Sequence, residues 1–330
     1  MIRSGPVLRL RSRPRLTLVL MLLLTSACSQ ERLKAALSVP IDDLTDVQWV
    51  RDSTLLASKP TILFRSLQTK AGNEVVPIAT IGAQGFQILR MGNRGWHYLD
   101  LTYLHEGSTL EAIRDGRVAG TASLIRGHWE TGKPALDSMV GCQLMVPGGL
   151  ASVPAGARLL IAGARPASPP MPGLSSSELQ EALDRAINLI VPSTGVPLSL
   201  MSRYTREIHL VSTGTSDKPT IVLMLDDPEV VADSVMAQGE RPRQVVLVLN
   251  NARFGYKVTF QYTTLGNLKT PPRYQWLDFI DTDNDGKAEL LFGLRGVSAP
   301  KIAPLYTIGL HYKNDVWTES IRYDRTRCQG

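Results

Sequence analysis

The sequence predicts a mainly β protein of the α+β class, in which a small β-barrel or sandwich precedes a second domain with one amphipathic helix and an antiparallel β-meander. Three observations lead to this fold class. Short apolar or alternating segments recur along the chain, Gly-rich and Asp-Gly turns separate them, and only one segment has strong helical periodicity. No helix of useful length is expected after residue 240, which argues against a doubly wound parallel sheet and a Rossmann-type cofactor domain.

The first domain, residues 41–163, is expected to be rich in β-strands. Asp115-Gly116 is the clearest hairpin signal, because both central residues of a tight type I′ turn need positive φ, and Asp and Gly tolerate this conformation. Strands of this length and spacing are typical of a small barrel or sandwich. The predicted strands are 75–81, 86–91, 96–104, 109–113 and 117–125, followed by 142–146 and 158–162 around a Pro-Gly-Gly loop.

A proline-rich linker, residues 164–174, is predicted to separate the two domains. Four of the ten residues 164–173 are proline, and this composition favours extended polyproline geometry over a helix or a central strand. The second domain is therefore expected to span residues 175–330.

The second domain opens with the one strong helix signal in the chain. Ser175 and Glu178 have the spacing of a capping box, in which each side chain accepts a hydrogen bond from a main-chain N–H of the first turn. We expect Pro192 and Gly195 to end the helix. The apolar residues at helical spacing, which predict one buried face, are Leu179, Ala182, Leu183, Ala186, Ile187 and Ile190.

The rest of the second domain is predicted to be an antiparallel meander. Lys313-Asn314-Asp315 is a hairpin turn signal between its last two strands. The eight predicted strands are 204–211, 220–225, 244–250, 256–263, 274–280, 289–294, 305–312 and 316–323.

The first 28 residues carry a targeting signal. An arginine-rich start, an apolar segment at 16–24 and the small residues Thr25-Ser26-Ala27 lead to Cys28. The apolar segment is shorter than the roughly 20 residues that a membrane helix needs. This arrangement resembles the lipobox signal of bacterial lipoproteins, which implies a signal peptide at 1–27, acylation of Cys28 and a lipidated tether at 28–40. The alternative is an ordinary secretory signal cut after Ala27, which leaves Cys28 as a thiol.

The resemblance also implies a location in the bacterial cell envelope, attached to the membrane through the lipid. Ser29 follows the cysteine at the position where a retention signal would have Asp, so sorting to the outer membrane is expected in a cell with two membranes. An envelope protein or a polysaccharide is the expected kind of partner.

The charge balance excludes a nucleic-acid partner once the signal peptide is removed. The chain has 36 basic and 30 acidic residues, and five of the basic ones are arginines that precede Cys28. The remaining 31 basic residues nearly balance the 30 acidic ones. The excess of positive charge that attracts phosphate backbones therefore belongs to the segment that is cut away.

Two cysteines remain after Cys28, and they are a candidate disulfide. Cys142 and Cys328 form an even pair in a protein expected in an oxidising compartment. The alternative is two separate buried thiols.

One motif carries metal chemistry, the segment from Asp281 to Leu290 with the sequence DTDNDGKAEL. Alternating carboxylates in a tight loop converge on one point, and a glycine permits the sharp turn. Oxygen ligands suit Ca²⁺, whereas the lack of His and Cys disfavours zinc and copper. An EF-hand needs a glutamate at its twelfth position, where this chain has Phe292. The predicted ligands are Asp281, Asp283, Asp285, the carbonyl of Lys287, and Glu289 either directly or through water.

The motif resembles the DxDxDGxxEL calcium loop of FG-GAP and VCBS-type repeats over residues 276–292, where apolar segments match the flanking strands. The resemblance implies a structural calcium ion that joins two strands and is loaded outside the cytoplasm. The chain has one convincing copy, which favours a local hairpin over a propeller of repeated blades. The alternative is an Asp-rich turn held by its own hydrogen bonds.

No catalytic residues are predicted. The chain lacks the GxSxG, HExxH, Walker and Rossmann motifs, and its five histidines have no metal-ligand spacing. The preferred function is binding or scaffolding in the envelope. The alternatives are a carbohydrate- or polymer-binding module, which requires an exposed row of aromatic side chains, and a hydrolase whose residues meet only in the fold.

Overall fold

The computed structural model describes residues 46–83, 85–127, 148–164, 172–194, 202–227, 242–265, 273–295 and 305–324. Within these ranges the protein is mainly β, as the sequence predicts, with three antiparallel sheets and three helices. The signal peptide and tether, most of the linker, and all three cysteines (Cys28, Cys142 and Cys328) lie outside the described residues.

Sheet A is a closed barrel. Its strands follow the order β1-β7-β4-β5-β6-β2, and pairing of β1 with β2 closes six strands into a ring. Strand β3 pairs with the C-terminal end of β2. Of the two predicted architectures, barrel and sandwich, the structure has the barrel. The strands are β1 Thr61–Thr69, β2 Gly72–Ile81, β3 Gln87–Ile88, β4 Thr109–Arg114, β5 Arg117–Arg126, β6 Gly149–Ser152 and β7 Leu159–Ala162.

Alternation along the strands gives the barrel two buried surfaces. In β1, Ile62 and Phe64 belong to the cluster inside the barrel, whereas Leu63 points outward to a second buried cluster. The β4–β5 hairpin turns at Asp115 and Gly116, whose φ angles of 55° and 67° match the predicted type I′ turn.

The prediction of a strand at 96–104 is wrong. Helix α2 (Asn93–Leu99) runs directly into a π-helical turn (Asp100–Leu104), and both pack on the barrel interior together with α1 (Asp46–Ala57). The sequence alternates in hydropathy there, but the side chains that become fully buried are Leu99 and Leu104, five residues apart. A π-helical turn places residues at that spacing on one face.

Sheets B and C are both antiparallel meanders, because their strands lie side by side in chain order. All eight strands predicted for this region are present. Sheet B contains β8 Thr205–Val211, β9 Thr220–Asp226, β10 Pro242–Ala252 and β11 Gly255–Leu265, and sheet C contains β12 Arg273–Ile280, β13 Glu289–Arg295, β14 Leu305–Lys313 and β15 Val316–Asp324.

Helix α3 (Ser176–Thr194) begins with the predicted capping box. The N–H of Glu178 donates to Ser175 Oγ at 3.3 Å, and the N–H of Ser175 donates to Glu178 Oε2 at 3.0 Å. The helix continues through Pro192 and ends one residue before Gly195. None of the helices in the described ranges has the length and apolar character needed to cross a membrane. The side chains that α3 buries against sheet B are Ala182, Leu183, Ala186 and Ile187.

Sheet C lies between sheet B and the barrel. One face of sheet C packs against sheet B in a cluster that includes Phe292 and Trp317, and the other face places Leu277, Ile280 and Leu291 against the outside of the barrel. The order of layers is therefore α3, sheet B, sheet C and barrel.

Polar contacts supplement the apolar interface between the barrel and sheet C. The buried Arg65 of β1 donates to Thr307 Oγ1 at 3.4 Å, and Arg158 donates to the carbonyl oxygen of Trp276. At the same interface, the loop that joins β12 to β13 meets the end of strand β2.

Candidate metal site

The β12–β13 loop brings three carboxylates together. One oxygen from each of Asp281, Asp283 and Asp285 lies within 4.8 Å of the other two. The backbone reaches this arrangement through two residues in the left-handed region, Asn284 at φ 59° and Gly286 at φ 84°. Asn and Gly are the residues that adopt this conformation most readily, so the local sequence favours the tight loop that the motif predicts.

Hydrogen bonds within the loop hold the two outer carboxylates. Asp283 Oδ1 accepts from the N–H of Asp285 at 3.1 Å, and Asp285 Oδ1 accepts from the N–H of Lys287 at 2.7 Å. These are the bonds of an Asp-rich turn. Asp283 is half-buried and Asp285 is exposed, so water reaches their remaining oxygens.

Asp281 differs from its two neighbours because it is buried, with 2% of its surface exposed. Its Oδ2 accepts a 2.9 Å hydrogen bond from the N–H of Gly286, but its Oδ1 is buried and has no partner among the described residues. Burial raises the pKa of Asp281, and the nearby Asp285 and Asp283 add to this rise, although N–H groups of Gly286 and Asn284 oppose it. The loop therefore holds one buried carboxylate oxygen that accepts no hydrogen bond from the described residues.

Glu289 lies outside this group of three carboxylates. Its Oε2 accepts from the N–H and the hydroxyl of Thr282, at 2.9 and 2.8 Å, and its Oε1 lies 3.0 Å from His311 Nδ1. Burial raises the pKa of Glu289, and the hydrogen bonds from His311 and Thr282 work in the opposite direction. Glu289 thus fixes the buried end of the loop, and its side chain already makes three hydrogen-bonding contacts with two residues.

The remaining predicted ligand is the carbonyl oxygen of Lys287, a residue that is exposed at the outer turn of the loop. The structure accordingly brings Asp281, Asp283 and Asp285 together, while Glu289 is hydrogen-bonded to Thr282 at the buried end of the loop. Thr282 and His311 are parts of the site that the sequence motif does not mark. His311 reaches it because β14 pairs with β13 in a register that places Leu310 opposite Leu290.

The donor set fits a hard divalent cation. Carboxylate oxygens are the preferred ligands of Ca²⁺, and three of them converge here without a thiolate or imidazole in the group. The hydrogen bonds of an Asp-rich turn account for Asp283 and Asp285, but they do not account for the buried, unpartnered oxygen of Asp281. A cation bound by the three carboxylates would offset the cost of burying Asp281.

The described tryptophans and His209 bear on the two alternative functions, a sugar-binding surface and a hydrolase. Trp96, Trp276 and Trp317 are buried, so these three side chains cannot form an exposed stacking surface for sugars. His209 Nε2 lies 2.9 Å from Glu207 Oε1, and the imidazole stacks on Trp276 with ring centroids 4.8 Å apart. The described contacts of this histidine are therefore a carboxylate and an indole, not a nucleophilic hydroxyl or thiol.

The fold and the site together define a class of protein, a mainly β chain with a barrel, two meanders and a candidate cation loop. The chain matches no protein-family model, no curated protein and no solved structure.

Proposed function

We propose that this chain is a lipid-anchored protein of the bacterial cell envelope that acts by binding or scaffolding, with one calcium ion bound by the β12–β13 loop. Attachment is assigned to Cys28 and the sorting expected for Ser29 is to the outer membrane. The observation that carries the calcium assignment is the buried Oδ1 of Asp281. This oxygen has no hydrogen-bond partner among the described residues, and two further carboxylates, those of Asp283 and Asp285, lie close to Asp281.

The calcium ion is assigned a structural role. The loop joins two neighbouring strands of sheet C, and its buried end is closed by Glu289, Thr282 and His311. A cation held there would fix the hairpin geometry of β12 and β13. The chemistry that it supplies is neutralisation of converging carboxylates, which lowers the cost of burying Asp281.

The burial of Trp96, Trp276 and Trp317 favours a binding or scaffolding role over a sugar-stacking surface built from these side chains. His209 is engaged by Glu207 and Trp276, and the buried tryptophans serve the cores of the barrel and of sheet C. The partner is assigned by class only, as an envelope protein or a polysaccharide contacted on a surface other than these tryptophans.

Metabolic labelling with a palmitate analogue tests the anchoring part of the proposal. The wild-type chain should incorporate label and fractionate with membranes, whereas Cys28→Ser should lose both properties. Cys328→Ser is the matched control, because it also replaces one cysteine by serine but leaves the signal intact. Equal labelling of wild type and Cys28→Ser would refute acylation at this cysteine.

A further inference from the structure

The calcium loop touches the barrel as well as sheet C. The N–H of Gly82, the residue that follows β2, donates a 3.0 Å hydrogen bond to the carbonyl oxygen of Thr282. Thr282 lies between two of the three clustered carboxylates. The turn continues to Gly85, whose N–H donates to the carbonyl of Gly82 at 2.6 Å.

Gly85 brings this turn of the barrel close to a second position in the loop. A Cβ added at Gly85 would lie 3.8 Å from the Cβ of Asp283. The 82–85 turn therefore contacts both the backbone and a carboxylate-bearing side chain of the candidate site. Any change that orders Thr282 and Asp283 acts directly on the end of β2.

The opposite side of the loop is backed by the connection between β8 and β9 in sheet B. The N–H of Ala288 donates to the carbonyl oxygen of Thr213 at 2.9 Å. Gly214 approaches so closely that a Cβ there would collide with the carbonyl oxygen of Gly286. The loop is thus held on its sheet B side as well as on its barrel side.

We propose that calcium bound by Asp281, Asp283 and Asp285 fastens the 82–85 turn of the barrel to sheet C. The loop then couples the barrel to sheet C and does not only join β12 to β13. This inference rests on the calcium site proposed above. The coupling passes through the Gly82–Thr282 hydrogen bond, because a cation that fixes the carboxylates on either side of Thr282 also fixes its carbonyl oxygen. By linkage, the barrel contact must in turn strengthen calcium binding.

Two variants at Gly82 isolate this hydrogen bond. Gly82→Pro removes the N–H donor, whereas Gly82→Ala keeps it and adds a methyl group that meets no atom of the described residues within 4 Å. In calorimetric titrations of the full chain with Ca²⁺, we expect Gly82→Pro to bind about five-fold more weakly and Gly82→Ala to match wild type. Equal affinities in both variants would overturn the coupling and leave the calcium site itself intact.

Hydrogen exchange of the wild-type chain provides a second measurement that needs no variant. Calcium should slow amide exchange about five-fold in the peptide that contains Gly82 and Gly85, as well as in the loop itself. The peptide covering α1 serves as the internal control and should not change. Protection confined to the loop would contradict the coupling, and an absence of calcium binding by wild type would overturn both this inference and the proposed function.

Discussion

The main-chain N–H of Gly116, at the tip of the β4–β5 hairpin, donates a 2.9 Å hydrogen bond to the buried carboxylate of Asp278 in sheet C. The same oxygen, Asp278 Oδ1, accepts from the N–H of Phe279 at 2.8 Å. A carboxylate from one sheet therefore caps a hairpin turn of the barrel across the interface between them. Two predictions follow from the two sides of this contact.

The first prediction concerns Asp278 and pH. Burial raises the pKa of Asp278 to about 6 from its ordinary 3.8, although N–H groups of Phe279 and Gly116 oppose the rise. Because the folded-state pKa is raised, the stabilisation belongs to the protonated form and is lost as pH rises from about 4 through about 6. The wild type should lose about 2 kcal/mol through this group between about pH 4 and about pH 7.

Urea unfolding of wild type and Asp278→Asn across this range measures the effect. The amide cannot ionise but keeps an oxygen that accepts from Gly116 and Phe279, so the difference between the two curves isolates the titration of Asp278. Parallel stability profiles for the two proteins would show that the carboxyl is not buried as described.

The second prediction concerns the close approach at Gly116. Its φ is 67°, and a Cβ there would collide with the ring of Phe279. Gly107 is a matched control, because its φ of 80° is similar but a Cβ would meet no atom within 4 Å in the described part of the chain. Gly107→Ala should cost about 1 kcal/mol for the left-handed backbone alone, and Gly116→Ala about 3 kcal/mol for backbone and collision together. Chemical denaturation measures both values, and equal costs would mean that the hairpin tip does not rest on Phe279.

The third prediction concerns the start of helix α3. Ser175 Oγ accepts from the N–H of Glu178, and Glu178 is held in turn by Lys218 Nζ at 2.5 Å. Ser175→Ala should lower the free energy of unfolding by about 1 kcal/mol, since it leaves a helical N–H without its acceptor. Ser176→Ala, one residue further along, removes a hydroxyl from an exposed position and should change stability by less than about 0.5 kcal/mol. A larger loss in the control would place the cap at Ser176.

Local sequence signals were sufficient for the meanders. In sheets B and C each strand pairs with its neighbour in the chain, so alternation and turn residues determine both the strands and their order. Asn314 and Asp315, with φ angles of 52° and 63°, form the turn predicted between β14 and β15. The capping box at Ser175 is local in the same sense.

The barrel is harder to predict from the sequence than the meanders, because some of its paired strands are far apart in the chain. Strand β1 pairs with β7 about a hundred residues away, and its buried Arg65 interrupts the apolar pattern that marks a strand. Arg65 is tolerated there because sheet C covers it and Thr307 accepts one of its hydrogen bonds. The sequence gives no signal for a partner 242 residues distant.

The candidate site likewise has local features that the sequence predicts and non-local contacts that it does not. The three aspartates and Gly286 lie within six consecutive residues, so the motif alone predicts their convergence. The contact between Glu289 and His311 depends on the register of β13 against β14, and the long connection between these strands does not fix it as a tight turn would. The contact of Thr282 with Gly82 depends on how the barrel packs on sheet C, for which the sequence has no local signal.

Calorimetric titration of the full chain with Ca²⁺ tests the central claim most directly. We expect one bound ion per chain, an affinity at least about ten-fold weaker in Asp283→Asn, and no change in Asp184→Asn. Asp184 is an exposed aspartate on α3, so the control removes the same charge without touching the loop. Binding of one ion that Asp283→Asn weakens would support the calcium site. No heat up to millimolar Ca²⁺, or equal binding by wild type and Asp283→Asn, would contradict it.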